Sequence, residues 1–559
     1  MWAAWLALGC YLIILVGVAV WARRGMNKDD DSYFLANRSL AWPMLLVTMA
    51  ATNFSAFTVY GSSGAGYRVG LSFLPIMAFG TGFMAVALYA IGRRVRRLSI
   101  EHNAITAPEI VGAQTGSIGA QRTMAFILVL ATIPYLALQP RAAGIVISAL
   151  FGGPEWLGAV LVTIIVILYT LSGGLEAVVR TDLIQGIIAM SLLWLGLILV
   201  LNDSGGPSKA FADLAAVDPV LMGRMDKYIL IVWSSTLLLW LLADPMFPQL
   251  FQRLCAAESD EAIGRMSALY PIVATLAFLP PIIIGLLGHL DNHGLDKAAS
   301  DGILPTMVID VGGEWLGGLI LIAGLAALMS TMDSQLLSTG SLVVRDLAPE
   351  LDTDGHQRLR QTSMIGLAIL GLFLSLWSNL SLLDLGLLSF CIYAVMFPAV
   401  WASLHSERLD GMAVIASVIA GEIVVGLALW QPSIFSGWWI EPVGPAIPAA
   451  VIPAVVVAIL TLLIVQIVRE NANSVISIIH RAMPSRNARW PVIGLAFIFI
   501  LAHDWWWWED RGAWLLGLPM WIWWFFMLSA CQIWLMVCWM RGGKDMGSRT
   551  FENDITSSE

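Results

Sequence analysis

Residues Thr48 to Tyr67 read TMAATNFSAFTVYGSSGAGY, and Leu241 to Leu254 read LLADPMFPQLFQRL. Each is an apolar stretch interrupted by groups that a membrane helix does not carry without reason. Asn53 and Ser55 sit in the middle of the first, with Gly61, Gly64 and Gly66 at its outer end; Pro245 and Pro248 flank polar groups in the second. Backbone unwound at membrane depth is tolerated only where it lines a cavity. Matching interruptions in corresponding positions of two halves point to a midplane binding site between inverted repeats, as in secondary transporters. The plainer alternative is that Gly and Pro are simply frequent in membrane helices.

Working outward, the chain has 559 residues, 58% hydrophobic and 12% charged, against roughly half apolar and a quarter charged in a soluble domain. About fifteen stretches approach the ~18 apolar residues of a membrane span. The spacing predicts helices near 3–22, 41–61, 71–92, 120–150, 155–172, 182–201, 228–250, 267–288, 314–341, 363–380, 382–404, 412–430, 446–468, 489–503 and 513–540. The expected fold class is therefore an all-α polytopic membrane protein of about 15 transmembrane helices. Helices two to six (41–201) and seven to eleven (228–404) form two groups of five. Because five is odd, the second group enters the membrane from the opposite side, giving a 5+5 inverted repeat as transport core, 41–404. Around it lie an N-terminal helix and cytoplasmic loop (1–40), peripheral helices (405–468), a cytoplasmic linker (469–488) with a short interfacial helix near Val475 to His480, a two-helix segment (489–540) and a polar tail (541–559). Residues 3–22 have no preceding positive charge and no small-residue cleavage site, so they read as a retained helix and not a signal peptide.

Alternate loops carry the Lys/Arg excess, including Arg93/Arg94/Arg96/Arg97, Arg253/Arg265 and Arg469/Arg481/Arg486. This predicts an N-terminus outside and a C-terminus in the cytoplasm. With 30 Lys+Arg against 39 Asp+Glu, there is no basic surface for nucleic acid. Cys10, Cys255, Cys391, Cys531 and Cys538 are scattered singly, without disulfide or metal-ligand spacing, and no HExxH occurs. An enzyme is not expected. The partners expected are the lipid bilayer, a coupling ion and a small solute.

LILIAGLAALMSTMDSQLLSTGSLVVRDL, Leu319 to Leu347, resembles the sodium/solute symporter family. So do SYFLANRSLAW (Ser32 to Trp42), ATNFSAFTVYGSSGAGY (Ala51 to Tyr67), TAPEIV (Thr106 to Val111), SGGLEAVVRTDLIQ (Ser172 to Gln185) and DPMFPQLFQRLCAAES (Asp244 to Ser259), in family order over residues 1–468. The resemblance implies the LeuT-type fold, which the helix breaks and the odd repeat reach independently. Two departures bear on the solute: many members carry an acid where Asn53 stands, and Pro140-Arg141 replaces a small-residue pattern. GLPMWIWWFF, Gly517 to Phe526, resembles a small two-helix membrane protein that accompanies such symporters in bacteria, here fused.

Ala327, Ser330 and Thr331 stand at i, i+3 and i+4 and share one helix face. A sodium ion wants five or six hard oxygens, most cheaply from hydroxyls and freed carbonyls. The resemblance implies that these three join the carbonyls of Ala51 and Phe54 in the main sodium site; packing glue between helices is the other reading. Topology puts Asp182, Asp333 and Ser334 at similar depth. Two carboxylates in a membrane are costly unless a cation neutralises them, and the resemblance implies a second cation site there. The competing reading has Asp182 capping its helix and Asp333 facing water. For the solute the candidates are Asn53, Ser55, Tyr135, Gln139 and Arg141. An arginine short of the surface suits a carboxylate bidentately; alternatively it snorkels, or pairs with Asp384. Asp244 is expected to cap the break before Pro245, and Trp505 to Trp508 with Trp521, Trp523 and Trp524 to form an interfacial belt. The expected function is sodium-coupled import of a small organic solute, a carboxylate, by alternating access in a bacterial inner membrane, with sodium as coupling ion and no other cofactor. The alternative is a transporter-like sensor that signals through a partner protein.

Overall fold

The computed structural model describes residues 34–543 except 172–173, 225–229, 379, 407, 436–447 and 509–512, together with residues 6, 8–13 and 17. The helix expected at 3–22 and the tail 541–559 lie largely outside the described residues. Apart from a two-residue hairpin, Trp514–Leu515 against Leu518–Pro519, the regular structure within them is helical. Among the described residues, eleven helices are long and apolar enough to cross a membrane, or twelve if one bent pair is a single span. The difference from the expected fifteen lies partly in the helix at 3–22, largely outside the described residues, and partly in how the others form. Trp42–Asn53, with 12 residues, is too short to span alone. Phe57–Glu101 runs two expected helices together, and Glu155–Thr170 is apolar but short.

The first broken helix comprises α1, Trp42–Asn53, and α2, Ser62–Val69, joined by Phe54, Ser55 and a π turn over Phe57–Gly61. Phe54 leaves the helix with ψ of 93°, which frees the last carbonyls of α1. Next come α3, Gly82–Glu101, α4, Ala107–Thr115, and α5, Ile118–Phe151. The repeat closes with α6, Glu155–Thr170, and α7, Leu175–Asp203. After a short α8, Pro207–Val217, the second broken helix is α9, Leu230–Ala243, and α10, Pro248–Ala256. Pro248 removes a backbone donor where Phe247 turns extended, and the two pieces meet at 55°. Then follow α11, Asp260–Leu287, α12, Ile303–Ser341, α13, Thr353–Trp377, and α14, Leu382–His405.

Packing divides the core into two bodies. The broken pairs α1/α2 and α9/α10 pack with α3 and α11, while α5, α6, α12 and α13 pack together; α7 lies against α12 and α1, and α14 against α5 and α9. Within the first body α2 and α11 touch backbone to backbone. A Cβ on Gly285 would fall 1.9 Å from the Ser63 carbonyl oxygen, and one on Gly66 2.5 Å from that of Ile282.

Beyond the core, α15, Gly411–Trp430, pairs with α16, Val451–Arg469, and leads to α17, Ala472–Ala482, an amphipathic helix close to the expected interfacial one. The final pair, α18, Arg489–Leu501, and α19, Met520–Gly543, packs onto α11 and α3. Gln532 on α19 donates to the Gly82 carbonyl at 2.9 Å, so this pair is seated on the first body.

Candidate ion and solute site

Where α1 ends, its freed carbonyls meet one face of α12. Ser330 Oγ donates to the carbonyl oxygens of Ala51 at 2.8 Å and Ala327 at 2.9 Å. Thr331 Oγ1 donates to those of Thr52 at 3.1 Å, Ala327 at 3.2 Å and Phe54 at 3.4 Å. The structure thus brings Ala51, Phe54, Ala327, Ser330 and Thr331 together, as five oxygens from two helices. A cavity of about 20 Å³ opens beside them, lined in part by Ala51, Phe54, Ala327 and Ser330. That is room for about one water-sized particle. All five oxygens are hard and uncharged, a donor set for a monovalent alkali cation.

One turn further along α12 lies the second constellation. Asp182 Oδ2 accepts from Thr48 at 2.7 Å and Thr52 at 3.1 Å. Ser334 Oγ lies 3.2 Å from the Thr52 hydroxyl, and Asp333 accepts from Tyr169 at 3.0 Å and Ser334 at 3.3 Å. Asp182, Asp333 and Ser334 do meet, and all are buried. Asp182 lies about two turns inside α7, so it caps nothing, and Asp333 does not face water. The unexpected member is Arg253. The Lys/Arg pattern places it in a cytoplasmic loop, yet it lies on α10, fully buried. Its Nη2 donates to Asp182 at 2.8 Å and to Ser334 at 2.9 Å, and its Nε to Thr48 at 2.8 Å. The cation beside Asp182 is therefore the protein's own guanidinium. An unpaired intramembrane Asp demands a cationic partner, and that demand is the signal that could have found Arg253.

At the first break, Gln139 accepts from the Ala56 amide at 3.1 Å and donates to the Tyr135 carbonyl, while Ser55 Oγ accepts from the Phe57 amide at 3.1 Å. Asn53 Nδ2 donates to Tyr270 at 2.9 Å and Asp244 at 3.4 Å, tying the two broken helices together. Tyr135 belongs to an aromatic cluster the sequence did not single out. Its ring centroid lies 4.9 Å from Phe390 and 5.4 Å from Phe247. Phe390 in turn meets Phe57 at 5.4 Å and Trp240 at 5.2 Å. Asn53, Ser55, Tyr135 and Gln139 thus gather where the two breaks meet.

Arg141, the fifth residue expected at the solute, stands apart from them in this structure. Its guanidinium donates to the carbonyls of Ser378 at 2.7 Å and Ser375 at 3.4 Å. These belong to the end of α13, where helix carbonyls are orphaned and the dipole is negative. The alternative ion pair is not made: Asp384 pairs instead with Lys297 at 2.8 Å. Asp244 makes no side-chain capping bond either. Trp505 and Trp506 are exposed as a belt requires, whereas Trp521 and Trp508 fold over Arg224, their rings 4.5 Å and 5.7 Å from its guanidinium carbon. A cavity of about 800 Å³ lies elsewhere, among apolar residues such as Trp401, Ile452 and Ile478. It offers little to orient a polar solute.

Two broken helices, with hydroxyls turned on the carbonyls freed by the first, define a cation-coupled secondary transporter of LeuT-type fold. The same fold occurs in a Na+-coupled sialic acid symporter, at a TM-score of 0.69 and 18% identity over 83% of this chain and 97% of that one. A nucleobase-cation-symport-1 family transporter superimposes at a TM-score of 0.51 and 14% identity, over 79% and 96%. The family model of the sodium:solute symporter family matches residues 33–421, and the chain belongs to that family. Among its relatives, the sodium/pantothenate symporter of Escherichia coli K12 is 26% identical, over 75% of this chain and 89% of its own. The high-affinity proline transporter PutP of Bacillus subtilis is 27% identical, over 82% and 98%. The chain is a multi-pass membrane protein, a sodium-coupled symporter of a small solute and not an enzyme.

Proposed function

We propose that this protein imports a small organic solute across a bacterial inner membrane by alternating access, driven by sodium held between Ala51, Phe54, Ala327, Ser330 and Thr331. The observation that carries the reading is the pair of hydroxyls on α12 reaching the carbonyls freed at the end of α1. An ion there ties the first body to the second, so binding it and closing the solute site are one event. Ion and solute must then raise each other's affinity equally. Asp182 has its counter-charge in Arg253, which favours one sodium per solute; the second cation set narrows to Asp333 and Ser334. Asn53, Ser55, Tyr135 and Gln139 are the solute contacts. The positive end of the outer half of the first helix faces the break, which suits a carboxylate, and the relatives' solutes, pantothenate and proline, both bear one. An outside N-terminus and a cytoplasmic C-terminus agree with the loop charges.

The test is uptake of radiolabelled proline and pantothenate into proteoliposomes. An inward sodium gradient should drive accumulation with one charge moved per zwitterionic solute, and Ser330→Ala/Thr331→Ala should abolish the sodium dependence. Uptake that follows a proton gradient and ignores sodium would overturn the reading.

A further inference from the structure

Among the buried carboxylates of the core, Asp244 is provided for differently. Asp182 meets Arg253, Asp301 meets Arg68 and Asp384 meets Lys297. Asp346 accepts from Thr106 and Gln121. Asp244, 1% exposed, receives a single amide hydrogen bond at 3.4 Å from Asn53, and its Oδ1 has no partner. Among the described residues no cation pairs with it. It sits in the one 3-10 turn, Asp244–Met246, that separates α9 from α10, at the midplane break. Four residues earlier Trp240 Nε1 is also buried without a partner. Buried polar groups are nearly always bonded, so an orphaned acceptor and an orphaned donor at one helix end, without a charged partner for the carboxylate, call for a partner that the described residues do not supply. Phe57 and Phe390 stand against Trp240, Tyr135 and Phe247 against Phe390, and Tyr270 shares Asn53 with Asp244; the faces of such rings attract a cation.

Resting on the reading of this chain as a sodium-coupled symporter, we propose that Asp244 holds a cationic nitrogen of the solute, an ammonium carried alongside its carboxylate. The nitrogen replaces the missing counter-charge of Asp244 and lies against the aromatic faces. The indole N–H of Trp240 is left to donate to the solute's acceptor. The preferred solute is then a zwitterion, and an amine-free carboxylate of the same shape leaves Asp244 buried and unpaired. Buried charges stranded in this way are rejected strongly.

Thermal unfolding of the purified full chain in sodium tests this with matched probes: L-proline against cyclopentanecarboxylate, and glycine betaine against tert-butylacetate. In each pair the second molecule keeps shape and carboxylate but lacks the positive nitrogen. At least one cationic member should bind about tenfold or more tightly than its partner, and Asp244→Asn should remove that preference while sodium alone still stabilises the protein. Asp244→Glu, which keeps the charge, should retain part of it. Equal binding within a pair, binding of neither cationic probe, or an unchanged preference in Asp244→Asn would each overturn the proposal. The wild-type comparison decides even if a variant does not fold. Loss of stabilisation by sodium itself would instead count against the symport reading.

Discussion

Two arginines of this protein are buried against aspartates at nearly the same distance, and they do different work. Arg253 meets Asp182 at 2.8 Å and Arg224 meets Asp504 at 2.7 Å, each pair essentially without exposure. Around the first stand hydroxyls: Thr48, Thr52 and Ser334. Around the second stand rings, Trp233, Trp508 and Trp521. The first pair joins α10, on one body, to α7, which packs against both. The second joins the loop after α8 to the end of α18, clamping the final helix pair onto the core. A hydroxyl can turn to a new partner when its helix moves, whereas a stacked ring loses its contact. The expectation that follows is that the hydroxyl-lined pair is remade during transport and the ring-lined pair stays shut.

The sharpest break is Arg253→Ala. Stranding a fully buried carboxylate costs about 3–5 kcal/mol, and thermal unfolding should show that loss together with abolished uptake. Joint replacement, Arg253→Leu with Asp182→Leu, should restore most of the stability, since apolar substitution of a buried pair is near neutral, but not uptake. Arg224→Ala should lose a comparable about 3–5 kcal/mol, and here Arg224→Leu with Asp504→Leu should restore both stability and uptake. Uptake that stays lost in the folded Arg224/Asp504 double variant would erase the distinction. A smaller effect is expected from a chain ending at Arg469 with Arg224→Ser, which removes the final pair and the arginine it would orphan. Its unfolding temperature should fall, because Gln532 and the apolar face of α19 leave α11 and α3, while ligand affinity stays within about threefold, measured by thermal shift. Smallest of all, Arg141→Ala should cost about 1 kcal/mol and leave initial uptake rates within about twofold. A collapse of uptake in that variant would return Arg141 to the solute.

What the sequence disclosed follows from how locally each signal is written. Breaks at Asn53 and Pro248 are legible because Pro, Gly and mid-span polar groups act on the backbone beside them. Ser330 and Thr331 are legible because helical spacing alone puts them on one face. Arg253 was misplaced because the Lys/Arg rule counts charges near helix ends. It cannot tell a residue beyond the membrane from one on a helix continuing past a proline break. The contact Arg141 makes was out of reach for a related reason: its depth along α5 could be estimated, but the face it presents depends on α13, far away in sequence. The aromatic cluster around Phe390 draws on the π turn before α2, α5, α9, the second break and α14, and no window of sequence contains it. Asp244 beside Pro245 looked like an ordinary cap until the absence of a capping bond made it otherwise.

The contact between Gly285 and the Ser63 carbonyl bears on where this molecule can bend. Two helices that meet through bare backbone have no side chains to shift and no rotamers to exchange, so α2 and α11 travel as one plank. Compliance has to be found at the plank's edge, and the neighbouring π turn over Phe57–Gly61 supplies it. There the i to i+5 hydrogen bonds close over one residue more than in an α-helix, a length of slack already stored beside the carbonyls freed at the end of α1. Were that turn to tighten to α-helical spacing, α2 would change its set against α1, and the ring of Phe57, which leads the turn, would shift against its neighbours Trp240 and Phe390.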